Sequence, residues 1–160
     1  MVELDQIDLR ILGALQSDAS RPVAELGEAV GLSSNACWRR VKRLEETGVI
    51  RRRVALLDPA KLDRGVTVFV AVRTNQHTEA WLEAFAKGVA QIPEVVEFYR
   101  MSGEVDYLLK ILVADIAHYD RVYKRLIKTA SLSDVSSSFA MEQIKYTTAV
   151  PLIEAERSGR

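Results

Sequence analysis

Seven cations fall between residues 34 and 53: Arg39, Arg40, Lys42, Arg43, Arg51, Arg52 and Arg53, against only Glu45 and Glu46. Cations at helical spacing can neutralise phosphates and hydrogen-bond base edges. Ser33, Ser34 and Asn35 stand just before them. On a helix starting there, Cys37, Val41 and Leu44 share one side. Asn35, Ala36, Arg39, Lys42 and Arg43 point roughly opposite, with Trp38 and Arg40 on the flanks. Asn35 suits an adenine and Arg39 or Arg43 a guanine, each worth about 1–3 kcal/mol of discrimination. Ser33, Ser34 and Lys42 suit phosphates, which set register rather than sequence. Arg51, Arg52 and Arg53 can track the flanking backbone, and Trp38 can stack on the duplex or pack between helices.

Those groups need a rigid platform, and the preceding residues supply its pattern. Asp5 or Asp8 opens a helix to about Gln16, with Ile7, Ile11, Leu12 and Leu15 on one face. Pro22 leads into a second helix, Val23 to Val30, which Gly31 ends. Ser33 or Ser34 caps a third, running to Thr47 before Gly48. Two short helices around a tight turn, the second rich in cations, form the pattern of a DNA-binding helix-turn-helix. Gly27 meets the need for a small residue where the helices cross, although glycine weakens a helix by ~1 kcal/mol. Cys37 lies on the core side, which favours a small packing residue over a sensor thiol.

The bulk numbers bound the class. At 160 residues the chain is one domain or two small ones. Its formal net charge is zero, but residues 1–20 carry Glu3, Asp5, Asp8 and Asp18 against Arg10, so acid and base are segregated. A local basic patch steers DNA even when the total is neutral. No apolar run approaches the ~20 residues of a membrane span. The acidic N-terminus does not read as a signal peptide, and one cysteine cannot form an internal disulfide. These features predict a cytoplasmic protein with no membrane partner.

After Asp58-Pro59 the pattern changes. Strands are expected at 66–74, 95–101, 106–113 and 135–145, with helices at 79–91 and 116–129. Leu82, Phe85, Val89 and Ile92 line one helix. Ile116, Tyr119, Tyr123, Leu126 and Ile127 line the other. This βαββαβ order is the ferredoxin-like layout, an antiparallel sheet with both helices on one face. Val66, Val68, Val70 and Val72 can face the helices, yet Phe69 and Ala71 opposite are also apolar. A sheet face left apolar needs a cover, and a second copy of the sheet is the economical one. The expected class is therefore α+β. Residues 1–50 form the helix-turn-helix domain, 51–63 a linker, 64–150 the βαββαβ and oligomerisation domain, and 151–160 a tail frayed at its end.

Taken together, several stretches resemble the Lrp/AsnC (feast/famine) family. They are Leu4 to Leu12, Cys37 to Ile50, Val54-Ala-Leu-Leu-Asp-Pro59, Gly103-x-x-Asp106 and Ser133-Asp-Val-Ser-Ser-Ser-Phe139. The resemblance implies a winged helix-turn-helix, a ligand-sensing domain, and a homodimer that assembles further, often to an octamer. It also implies an amino-acid effector and no other cofactor. Met101 to Leu108 and Ser136 to Thr148 look closest to the branch that responds to cysteine. In the implied site Asp106 would hold the ammonium, and backbone N–H groups at Ser102 and Gly103 the carboxylate. Hydroxyls of Ser136, Ser137 and Ser138 would add donors, and Met101 and Tyr107 would line the side-chain slot. Gly103 to Asp106 also reads as a plain hairpin turn. That leaves a rival, an architectural protein that wraps DNA without an effector. An enzyme is disfavoured. His77 and His118 are the only near-neutral bases, and the chain has no metal spacing, phosphate loop or nucleophile motif.

Overall fold

The structure, a computed structural model, describes residues 2–152, which divide into two compact units. One comprises residues up to 56 together with 145–152; the other is 57–144. Residues 145–150, expected with the second domain, group instead with the first.

The first unit holds α1 (Gln6–Ser17), α2 (Val23–Val30) and α3 (Ser34–Glu46). The start of α1 is a reciprocal cap: Asp8 N–H donates to Asp5 Oδ1 at 2.8 Å, and Asp5 N–H to Asp8 Oδ2 at 3.1 Å. Gly31 ends α2 at a φ of 76°, and Ser33 Oγ caps α3 by accepting Ala36 N–H at 3.3 Å. Ile11, Leu26, Cys37 and Leu44 are its fully buried centre. Burial pushes the Cys37 thiol up, away from reactivity. A Cβ on Gly27 would stand 2.9 Å from the Leu32 carbonyl oxygen and 3.4 Å from Cys37 Cβ. Even alanine therefore does not fit there without moving backbone.

No strand ladder forms in this unit among the described residues. Residues 51–57 are exposed and unpaired by any strand. The tail instead binds α1. Gln16 Nε2 donates to Val150 O at 3.1 Å, and Gln16 Oε1 accepts Val150 N–H at 2.6 Å. Leu152 joins the core 3.7 Å from where a Gly13 Cβ would be. The expected fraying falls on 153–160, outside the described residues.

The second unit contains β1 (Val66–Arg73), α4 (Glu79–Ala90), β2 (Val95–Arg100), β3 (Tyr107–Val113), α5 (Ile116–Leu126) and β4 (Asp134–Phe139). A single 3-10 turn, Ala60–Leu62, precedes β1. The sheet is antiparallel in the order β2-β3-β1-β4, the ferredoxin-like arrangement. Val68, Val70 and Val72 of β1 and Tyr107, Leu109, Ile111 and Val113 of β3 are buried in one core with Phe85 and Val89 of α4 and Val122 and Leu126 of α5. Ile116 and Ile127, expected in that core, are exposed; Val122 takes the place between Tyr119 and Leu126. Trp81 rather than Leu82 is buried, with Nε1–H on Ser131 O at 3.2 Å. β4 stops at Phe139 instead of Lys145.

Alternation turns Phe69, Ala71, Leu108 and Leu112 to the face away from the helices. That face is not wholly apolar. Lys110 Nζ meets Glu97 Oε1 at 2.9 Å, and Tyr99 OH donates to Glu97 Oε2 at 2.8 Å.

Glu94 ties the start of β2 to α5. Its Oε1 accepts His118 Nε2–H at 3.0 Å and Arg125 Nη2–H at 2.6 Å. His118 Nδ1 accepts Ala114 N–H at 3.3 Å, which assigns the ring proton to Nε2. Burial, including an Oε2 with no partner among the described residues, pushes the Glu94 carboxyl up. The bonds from His118 and Arg125 outweigh it and hold the carboxyl at about 2.

Two outcomes are expected. Gly27→Ala loses about 1–3 kcal/mol in urea unfolding despite the better helix former, because overpacking against backbone exceeds the propensity gain. Equal or higher stability would mean the crossing is looser than described. The Glu94 carboxyl titrates lower folded than unfolded. Its stabilisation is complete above the unfolded value of 4.5 and is lost as pH falls through about 2. Glu94→Gln should therefore remove about 1–3 kcal/mol of the acid-dependent stability loss, read from unfolding midpoints across that range.

Candidate nucleic-acid interface and effector loop

Burial of Cys37, Val41 and Leu44 fixes the rotation of α3. Ser34, Asn35, Trp38, Arg39, Lys42 and Arg43 are then exposed. Trp38 is 52% exposed, with Lys42 Nζ 5.2 Å from its ring centre. This is a cation–π contact, and the ring does not pack between helices. Lys42 also lies 3.7 Å from Glu46, one turn on. Arg39 makes no ion pair among the described residues. Ser33 is exposed but spends its hydroxyl oxygen on the cap. Arg51 and Arg52 are exposed in the segment after α3, while Arg53 pairs with Glu45 at 3.0 Å.

Arg40 and Arg43 are placed otherwise than expected. Arg40 Nη1 donates to Asp5 Oδ2 at 2.7 Å and Asp8 Oδ1 at 2.9 Å; Arg43 Nη2 donates to Asp8 Oδ2 at 2.5 Å. Asp8 is 1% exposed. The Asp8 N–H, then Arg40, hold the Asp5 carboxyl below its usual range, and the two carboxylates raise the Arg40 guanidinium. The Arg40 and Arg43 side chains are 29% and 46% exposed, so each pair rests on a buried carboxylate at one end and meets solvent at the other; this fastens the arginines to α1 because an unpartnered buried Asp8 is costly. Asp5 and Asp8 were missed as part of this site because they lie 32 to 35 residues from the arginines they hold. The available signal was the acidic stretch at residues 1–20 opposite the basic 34–53.

The second candidate site lies at the β2–β3 turn. Met101, Ser102, Gly103 and Glu104 are exposed. Met101 N–H donates to Asp106 O at 2.8 Å, closing the hairpin. Gly103 sits at a φ of 115°, which side chains rarely tolerate. Asp106 Oδ2 accepts Thr74 N–H at 2.8 Å, and Asp106 N–H reaches Val72 O at 3.1 Å. Asp106 thus also anchors the end of β1, a role the sequence reading did not anticipate. Arg73 and Glu104 pair across the loop at 3.7 Å on open surface.

The remaining expected effector groups separate by strand parity. Ser136 and Ser138 oppose Ala71 and Phe69, on the face away from the helices. Ser137 opposes Val70 on the helix side, where its hydroxyl bonds Tyr119 OH. Tyr107 is a correction: it is 3% exposed, among Trp81, Phe85 and Phe98 with ring centres 5.4–5.7 Å away. It shares parity with Leu109 and Ile111 and cannot line a slot on the loop. Neither of two surface hollows, one beside Asp18, Arg21 and Glu25 and one beside Ala86, Ile92 and Phe98, includes the loop. No helix of the described residues is long and apolar enough to cross a membrane.

Comparison with known proteins finds two parts, the second match running to residue 150, past the 144 at which the second compact unit ends. Residues 4–45 match the AsnC-type helix-turn-helix domain, and residues 67–150 the Lrp/AsnC ligand binding domain. The chain is 52% identical over 152 residues to the glutamate uptake regulatory protein of Zymomonas mobilis, covering 95% of this chain and 93% of that one. It is 49% identical over 150 residues to the DNA-binding transcriptional activator DecR of Escherichia coli, covering 93% and 99%. Among solved structures, an AsnC family transcriptional regulator from Agrobacterium tumefaciens superposes with a TM-score of 0.90 at 58% identity, covering 92% and 97%. A Neisseria meningitidis transcriptional regulator in complex with L-Met gives 0.88 at 36%, covering 93% and 97%. A helix-turn-helix carrying an exposed cationic row, joined to a ferredoxin-like ligand-binding fold, therefore places this chain in the Lrp/AsnC family of DNA-binding transcription regulators, which are not enzymes.

Proposed function

We propose that the chain is a sequence-specific regulator of transcription in the cytoplasm whose grip on double-stranded DNA is modulated by a small amino acid. The observation that carries the DNA half is the exposed row Asn35, Trp38, Arg39 and Lys42 on a helix whose opposite side is locked in core. An N-terminal Asn followed by Arg one turn later is suited to base edges, with Ser34, Arg51 and Arg52 on phosphates.

For the effector half, the loop offers an anion at Asp106, backbone N–H groups around Ser102 and Gly103, and Met101 as an apolar wall. Asp106 keeps one oxygen on Thr74, so an ammonium would share the carboxylate with that N–H. The loop is open in a single chain, and Ser136 and Ser138 lie on the open sheet face. A homodimer, assembling further to an octamer, would cover that face and wall the site. Exposed Val54, Leu56, Met141 and Ile144 support such assembly. The Neisseria relative's L-Met supports the amino-acid class, and cysteine is the member tested first.

A second reading, DNA wrapping without an effector, is favoured by the closure of the loop onto Thr74 and Met101, which a turn alone would explain. Thermal-shift titration of the protein, under reductant, against all twenty amino acids separates the two. A selective rise in Tm with one amino acid establishes the sensor; no shift at millimolar concentration favours wrapping.

Arg39→Ala should lower affinity for a selected binding site by about 1–3 kcal/mol relative to random duplex while assembly in solution is unchanged. Gel-shift competition reads the first and light scattering the second. Asp106→Asn retains an acceptor for Thr74 N–H but loses the charge. Its Tm without ligand should stay within about 1 kcal/mol equivalent of the wild type, while the amino-acid shift disappears. A full shift in the variant would remove Asp106 from the site.

A further inference from the structure

Given the DNA-reading role proposed above, we infer that Asp8 is a positioning residue for recognition: its buried carboxylate holds Arg40 and Arg43 on α1 and keeps them off the duplex. Around an α-helix each residue advances about 100°, so Arg43 lies only about 40° from Arg39. Free, its guanidinium would sweep the same groove-facing surface as Arg39. Instead both oxygens of Asp8 are occupied, Oδ1 by Arg40 and Oδ2 by Arg43 and the Asp5 N–H. Asp5 Oδ2 takes the same Arg40 nitrogen and so closes the clamp.

Two consequences follow for DNA. The clamp joins the first turn of α1 to the flank of α3, so the helix that enters the groove cannot rotate about its axis without stripping the buried Asp8 carboxylate of its half-exposed arginine partners. It also neutralises two of the seven cations in residues 34–53. The phosphate-facing charge is then concentrated on Lys42, Arg51 and Arg52, with Arg39 left for base edges. Fewer free cations weaken binding to every sequence alike, which raises the relative weight of base contacts. A buried anion aimed at cations on the reading helix therefore acts on specificity. Arg40 and Arg43 do not have to touch a base for it to do so.

Salt dependence of binding counts the cations that meet phosphate. The full-length protein is titrated onto a fluorescent random-sequence duplex between about 50 and 200 mM KCl, where each phosphate contact contributes a slope of about −0.9 in log K against log salt. Lys42→Ala and Arg51→Ala should each make the slope shallower by about one contact, whereas Arg40→Ala and Arg43→Ala should leave it unchanged. Asp8→Asn should steepen it by about one to two contacts and strengthen random-duplex binding several-fold at low salt, as released guanidiniums find phosphates. If Arg40→Ala and Arg43→Ala flatten the slope as Lys42→Ala does, both arginines contact DNA and the clamp opens on binding, which overturns the inference while leaving DNA reading intact. Loss of Asp8→Asn to misfolding leaves the arginine variants to decide. A wild type that binds no duplex at any salt removes the DNA-reading role and the inference together.

Discussion

The valine row of β1 is the constraint on which the second unit depends. Val68, Val70 and Val72 are fully buried, and a strand cannot turn one of these toward the helices without turning its neighbours away. Each such side chain contributes roughly 1.5–3 kcal/mol, far more than any single polar contact on the opposite face. Register then transmits the choice to every strand. Tyr107 and Ser137 go to the helix side with the valines; Ala71, Leu108, Ser136 and Ser138 go to the open side. The composition of any ligand site on this sheet is therefore decided by core packing before ligand chemistry is considered.

The first unit obeys the same logic with a period of 3.6. Cys37, Val41 and Leu44 set the rotation of α3, and the close crossing at Gly27 sets its distance from α2. Electrostatics then does what packing cannot. Arg40 and Arg43 lie on a flank that rotation alone leaves near solvent, and Asp8 decides that they point to α1. The capping box that starts α1 and the clamp that orients α3 use the same two carboxylates, so local helix initiation and tertiary fastening are one feature.

The units are joined twice along the chain, once through residues 51–57 and once through the tail. The tail's hold on α1 is a paired hydrogen bond from one carboxamide together with the packing of Leu152. Backbone groups at Val150 gain partners without any sheet, and the stretch Ile144 to Val150, although rich in β-formers, lies outside β4. The same stretch exposes large apolar side chains, as does the segment after α3. In both, the sequence supplies more apolar surface than one chain covers.

Signals that lie within four residues of one another were legible in the sequence. Asp5, Pro22, Gly31, Ser33 and Gly48 mark helix ends through local backbone chemistry. The alternation of 66–72 and the spacing in 34–47 mark the strand and the reading helix. The βαββαβ order and the basic character of α3 follow from these alone. What the tertiary structure decided are choices whose partners lie far along the chain. Gln16 meets Val150 across 134 residues, and Asp8 meets Arg43 across 35. A cation at position 43 looks the same in sequence whether it faces phosphate or a buried carboxylate. Tyr107 likewise looks available beside a glycine turn until strand pairing places it in the core. Local geometry is written in neighbouring residues, but the direction of a long side chain depends on which distant surface packing brings within reach.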